Sequence, residues 1–167
     1  MNLSDLWLSI DPGTHAMGVV LWQGERPVRW SHWQWPQNTP VEDRLAGAIK
    51  AMNGLLMEHP VISAIACEWP AAAQPYRQSP ELQTLVRRLR QWARLKSIRW
   101  HSYNPSTVRA AVRLRGVRTG DPKQDICWGV AALYPQLKVD SMPQDVVDAV
   151  AVGHCHLGKL IEERCCT

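Results

Sequence analysis

Three apolar and aromatic runs joined by connections too short for a crossover constrain this chain's fold more than any other feature. Leu6 to Ile10 ends at Asp11, Pro12-Gly13-Thr14 turns the chain, and Met17 to Trp22 resumes; Gln23 to Pro27 turns it again into Val28 to Trp35. Parallel strands need a connection of roughly a dozen residues or more, so these three runs are expected to be antiparallel neighbours.

After Trp35 the apolar spacing lengthens. Thr39 is expected as an N-cap with Pro40 at the first helical position, and Leu45, Ile49, Met52 and Leu56 repeat at helical spacing. Val61 to Cys67 reads as a buried strand that ends on Glu68 and is stopped by Trp69-Pro70. A loop holding Gln74, Pro75, Tyr76 and Arg77 leads to an amphipathic helix, with Leu82, Leu85, Val86, Leu89 and Trp92 on one face and Arg87, Arg88, Arg90 and Arg94 elsewhere. Ile98 to Tyr103 is a fifth strand, Asn104-Pro105 opens a short helix through Val112, and Arg113 to Gly120 is a basic loop. Asp121 and Pro122 cap a helix to about Tyr134, and a last helix runs from near Pro143 towards Glu163. The order βββ–α–β–α–β–α–α–α predicts an α/β fold over residues 1–167 as one domain, with a mixed sheet covered by helices.

Charge and cysteine usage narrow the setting. Nineteen Lys and Arg against fifteen Asp and Glu permit an anionic partner without requiring one. No apolar run approaches the roughly 18 residues of a membrane span and no leader pattern opens the chain, so a cytoplasmic protein with no membrane partner is expected. Five cysteines without CxxC spacing argue for reduced thiols rather than disulfides or a zinc knuckle. His154, Cys155 and His156 with Cys165 and Cys166 invite comparison with a soft-metal cluster, but helix neighbours point in different directions. Nine Trp and no Phe suggest that most indoles fill places where other chains use Phe.

The chemistry is carried by acids in unusual settings. Asp11 ends the first strand at the Pro-Gly turn, and Glu68 ends an otherwise apolar strand. Asp145 and Asp148, three apart, project from one face of a helix that is otherwise Val and Ala. A single Asp at a turn or in a first helical turn has an ordinary explanation as a cap. Glu68 and two Asp among Val and Ala do not. Converging carboxylates repel and raise one another's pKa values, a penalty that a divalent cation removes, and oxygen-only ligation selects Mg²⁺ or Mn²⁺. Two such ions about 4 Å apart can activate water and stabilise a leaving oxygen in phosphodiester hydrolysis. No Ser/His/Asp or Cys/His arrangement competes, and no GxxxxGK[ST] loop offers a nucleotide site.

Ser9-Ile10-Asp11-Pro12-Gly13-Thr14 followed by Gly18, Cys67-Glu68, Tyr103-Asn104-Pro105 leading to Val108-Arg109 and Gly116, Asp121 to Lys123, and Gln144-Asp145-Val146-Val147-Asp148-Ala149 with His154-Cys155-His156 resemble, in matching order, the RuvC family of Holliday junction resolvases. The resemblance spans nearly the whole chain and admits a phage-type member. It implies an RNase H-like fold with three antiparallel strands then two parallel ones, a homodimer, Mg²⁺ dependence with two ions per site, and paired nicking of a four-way DNA junction. Carried over, the family's acids are Asp11, Glu68, Asp145 and Asp148; some members have His where this chain has Asp145. Its basic residues near the site correspond to Arg109 and Lys123, assigned to the scissile phosphate. Family members usually place an aromatic a few residues after the glutamate, and here the third residue after Glu68 is Ala71. Trp69 or Tyr76, the latter beside Arg77, can take its place by stacking on an unpaired base.

Arg113, Arg115 and Arg118, flanked by Gly116 and Gly120, are expected on the DNA backbone rather than on a merely solvated face. The apolar stripe of the basic helix packs either on the sheet or on a second subunit, and the symmetric cuts implied by the resemblance favour the second. Rival readings are an actin-like or sugar-kinase-like ATPase, which needs two lobes that 167 residues cannot build, a relaxed flap or branched-DNA nuclease of the same fold, and a non-catalytic junction-binding protein.

Overall fold

The computed structural model describes residues 5–69, 79–114, 116 and 119–165. Strands β1 (Leu6–Pro12), β2 (Ala16–Gln23) and β3 (Arg26–Gln34) are followed by α1 (Val41–Glu58), β4 (Ile62–Glu68), α2 (Pro80–Leu95), β5 (Arg99–Tyr103), α3 (Pro105–Val112), α4 (Pro122–Leu133), a 3₁₀ turn (Val139–Ser141) and α5 (Gln144–Cys165). The five strands form one sheet in the order β3-β2-β1-β4-β5. The first three are antiparallel neighbours, and β1, β4 and β5 run parallel. Element types and order agree with the sequence expectation. At the start of α1, however, Pro40 rather than Thr39 is the N-cap residue, with no side-chain cap.

Strand alternation divides the core between the two faces of the sheet. Leu8, Ile10, Val19 and Ile65 point to the face covered by α1 and α2, where Leu45, Met52, Leu85 and Leu89 meet them. Trp7, Val20, Trp22, Ala64 and Ala66 point to the opposite face, covered by α3, α4 and the Val/Ala helix α5. This packing corrects one expectation: the apolar stripe of α2 is spent within its own chain. Leu85, Leu89 and Trp92 are buried against the sheet and α1, and Val86 is buried too, because a sheet's open apolar face must be covered before any surface remains for a second subunit.

The indoles behave largely as the absence of Phe suggests. Trp7 and Trp22 are fully buried and stacked, with centroids 4.9 Å apart. Each indole N–H is satisfied: Trp7 donates to the Gly24 carbonyl and Trp22 to Ser9 Oγ, both at 2.8 Å. The Ser9 bond explains a polar residue at 0% exposure in the core. Trp30 and Trp128 are exposed. Among the described residues no helix is long and apolar enough to cross a membrane.

Candidate functional site

One row of residues crosses the whole sheet and carries most of the polar chemistry. Asp11 on β1 pairs with Gly18 on β2, and Gly18 pairs with His32 on β3. In the other direction, Glu68 stands one step beyond the Ile10–Cys67 register pair and opposite Tyr103 on β5. Paired residues project from the same face of a sheet. Asp11 alternates with Trp7 and Ser9, and Glu68 with Ala64 and Ala66, so both acids emerge on the α5 side. They do so at the carboxyl ends of adjacent parallel strands, where α/β sheets characteristically bind ligands.

Helix α5 completes the site because Gly18 has no side chain. A Cβ built at Gly18 would lie 2.0 Å from the Asp145 carbonyl oxygen. At the other end of the contact, a Cβ on Gly153 would lie 2.2 Å from the Trp22 ring. These two gaps let α5 lie directly on β2. Asp148 thereby reaches the cleft lined by Asp11 and Glu68, and Gln144 one turn earlier donates to Asp148 Oδ1 at 2.9 Å. Asp145 sits over Gly18, and its Oδ2 is 2.9 Å from His32 Nε2.

The acids perturb one another strongly. Burial, then the charges of Asp148, Glu68 and Asp145, hold the Asp11 carboxyl well above the usual carboxylate range, with Lys123 opposing. Glu68 is pushed up to about 7, first by burial and then by Asp148, against the pull of Arg109. Burial raises Asp148 as well; the Gln144 hydrogen bond and Lys123 oppose the rise, and Asp145 adds to it. Carboxylates so placed are costly when ionised without a counter-charge.

Such a donor set fits a hard divalent cation in charge and chemistry: oxygen only, anionic, half-buried, and destabilised by the lack of positive charge. Among the described residues no three His, Cys, Asp or Glu side chains already converge as a cage.

The expected basic residues fall into two groups. Arg109 and Lys123 line the same cleft as Asp11, Glu68 and Asp148. The short path from β5 into α3 places Arg109, with Asn104 accepting from the Ser106 N–H at 3.1 Å as N-cap. Asp121 caps α4 in the same way, accepting from the Lys123 N–H at 2.9 Å. Arg113, exposed at the end of α3, lines an adjoining cleft between α3 and α4 that shares Arg109, Pro122 and Ile126 with the first. Trp69 is half-buried, and its N–H extends the β4–β5 ladder to the Tyr103 carbonyl at 2.8 Å. Tyr76, Arg77, Ala71, Arg115, Arg118 and Cys166 lie outside the described residues. The C-terminal histidines are engaged elsewhere: His154 meets the Tyr134 hydroxyl and His156 the Tyr103 hydroxyl, at 2.9 and 2.6 Å.

Sequence reasoning missed His32. The two-residue turn sets Gln23 opposite Arg26 and Trp22 opposite Pro27, and a regular continuation would put His32 opposite Met17, facing α1 and α2. A bulge intervenes: Leu21 pairs with Arg29, leaving Val28 as the extra residue. One inserted residue turns every later side chain of β3 to the other face. Pro27, which has no N–H to give a ladder, is the only local hint of that bulge.

No protein-family model matches the sequence, and no curated protein matches it. Among solved structures, RuvC of Thermus thermophilus in complex with a Holliday junction substrate is similar at a TM-score of 0.74 and 16% identity, over 94% of this chain and 96% of that one. A second structure of Thermus thermophilus RuvC is similar at a TM-score of 0.71 and 17% identity, over the same shares of each chain. This chain therefore has an α/β fold of the RuvC, RNase H-like kind, with a five-stranded mixed sheet flanked by helices.

Proposed function

We propose that residues 1–167 form one nuclease domain, a Mg²⁺-dependent, structure-specific endodeoxyribonuclease that hydrolyses phosphodiester bonds in branched DNA, with the four-way junction as substrate. The observation that carries this reading is the cleft that brings Asp11, Glu68 and Asp148 together with Arg109 and Lys123 beside them, the three acids held above the usual carboxylate range by burial and neighbouring negative charge. The RuvC-like fold supports the choice of DNA, since a structure similar to this one holds a Holliday junction.

In this reading Asp11, Glu68, Asp145 and Asp148 hold two Mg²⁺ ions, with Mn²⁺ able to replace them. Bound there, the ions supply a water nucleophile at neutral pH and charge stabilisation for the leaving oxygen. Arg109 and Lys123 hold the scissile phosphate, the guanidinium through paired N–H donors. Arg113, with Arg115 and Arg118, follows the backbone away from the cut. Trp69 or Tyr76 stacks on a base opened at the branch point, with Arg77 beside it. Two symmetric cuts call for two sites, so the working form is a homodimer acting in the cytoplasm, where the thiols stay reduced.

Ala71, standing where an aromatic is expected, favours a second reading: a relaxed branched-DNA or flap nuclease with the same chemistry. Cleavage of four-way, three-way, flap and linear duplex DNA with Mg²⁺ separates the two. Preference for the four-way junction with paired nicks supports a resolvase, and equal cutting of flaps and three-way branches supports the relaxed nuclease. Binding without cleavage of any of them refutes the enzymatic reading.

A further inference from the structure

The His32–Asp145 contact joins the site to an edge strand that carries none of the four acids. Three separate features produce it. The bulge at Val28 turns His32 to the α5 face; Gly18 lets the start of α5 drop onto β2; and Asp145 opens the helix immediately above. The His32 side chain is 14% exposed and that of Asp145 37%, so the bond is partly buried rather than set on open surface.

Asp145 needs such a partner more than the other acids do. Asp11 and Glu68 are held by strand pairing and burial, and Asp148 by Gln144. Asp145 is more open, its side chain 37% exposed, and among the described residues no Gln holds it as Gln144 holds Asp148. An Asp in the first turn of a helix also has other places to turn, towards water or the free N–H groups of the helix start.

We infer that His32 is a positioning residue for Asp145: its Nε2–H donates to Oδ2, fixes the carboxylate's orientation, and leaves Oδ1 as the oxygen offered to a divalent cation. The neutral ring suffices, since an ionised carboxylate can only accept and Nε2 must then carry the hydrogen. The inference rests on the proposed reading of Asp145 as a cation-holding residue. Partners behind a ligating group typically contribute about 10–100-fold to metal affinity or activity.

The test uses the full-length chain and Mn²⁺ alone as probe, followed by the loss of its free-ion electron paramagnetic resonance signal on binding. His32→Ala should weaken Mn²⁺ binding by about tenfold or more, with wild-type secondary structure by circular dichroism. His32→Gln, whose amide can still donate, should recover much of the affinity, whereas His32→Asp, which cannot donate, should not. In junction cleavage His32→Ala and His32→Asp should raise the Mg²⁺ concentration at half-maximal rate more than His32→Gln does, with a smaller effect on the rate at saturating Mg²⁺. An unchanged Mn²⁺ isotherm for His32→Ala overturns the inference, and recovery by Asp but not by Gln overturns it in favour of direct ligation. Wild-type protein that binds Mn²⁺ in a His32-dependent way yet cuts no branched DNA leaves His32 its role and removes only the proposed substrate.

Discussion

Replacing Glu68 by Gln should stabilise the cation-free protein above neutral pH, although it removes the carboxyl group at the centre of the cleft. Burial and the charge of Asp148 hold Glu68 up to about 7, against an ordinary value of 4.5. The folded state thus binds this proton more tightly than the unfolded chain does. The associated stability is fully present below 4.5 and is lost as pH rises through about 7. A displacement of that size corresponds to about 3 kcal/mol once the group is fully ionised. Local relaxation and water entry reduce the realised value to about 1–3 kcal/mol. Gln keeps nearly the same shape and never ionises, so it escapes the cost. In a chain of this length each kcal/mol moves the midpoint by about 2–4 °C. Thermal unfolding followed by circular dichroism in EDTA should therefore place Glu68→Gln about 5 °C above wild type at pH 8, with the difference closing at pH 5. Millimolar Mg²⁺ at pH 8 should raise the wild-type midpoint and narrow or reverse the gap, because a cation offsets the same repulsion. A lower midpoint for Glu68→Gln at pH 8 in EDTA, or a difference that does not change with pH, would refute the electrostatic account of the cleft.

Asp148→Asn should abolish Mg²⁺-dependent cleavage of a synthetic four-way junction while leaving gel-shift binding in EDTA or Ca²⁺ largely intact, and full activity would remove Asp148 from the proposed site. Gly18→Ala sets a methyl group against the Asp145 backbone, which cannot yield like a flexible side chain. It should cost about 1–3 kcal/mol in denaturant unfolding, and cleavage should fall further than stability explains, because both α5 acids are displaced. Arg113→Ala should weaken junction binding and flatten its dependence on salt concentration by about one unit of slope; an unchanged slope would return Arg113 to an ordinary solvated surface.

Much of the fold was legible because its determinants are local. Turn residues at Pro12-Gly13 and between Gln23 and Pro27, period-two runs in the strands, and 3.6-period runs opened by Asn104 and Asp121 all act within a few residues of themselves. Asp11 and Glu68 stood out because each ends an apolar strand, and the structure puts them side by side. Asp148 was legible from its Val/Ala setting. Arg109 and Lys123 came from the resemblance rather than from periodicity, and the folded chain brings both to the cleft.

What the sequence by itself determined was the succession of elements, the antiparallel pairing of the first three strands, and which acids end strands or interrupt the apolar helix. Two decisions belonged to the tertiary structure alone. The stripe of α2 is equally suited to a neighbouring sheet or a second subunit, and only the uncovered face beside α1 directs it inward. His32 meets Asp145, 113 positions away, because one bulged residue reverses the face of β3 and one missing side chain at Gly18 admits the helix. A strand's face depends on register counted from its partner, and a helix's approach depends on the atoms beneath it. Neither is a property of nearby residues, so each is settled only when the sheet and α5 pack together.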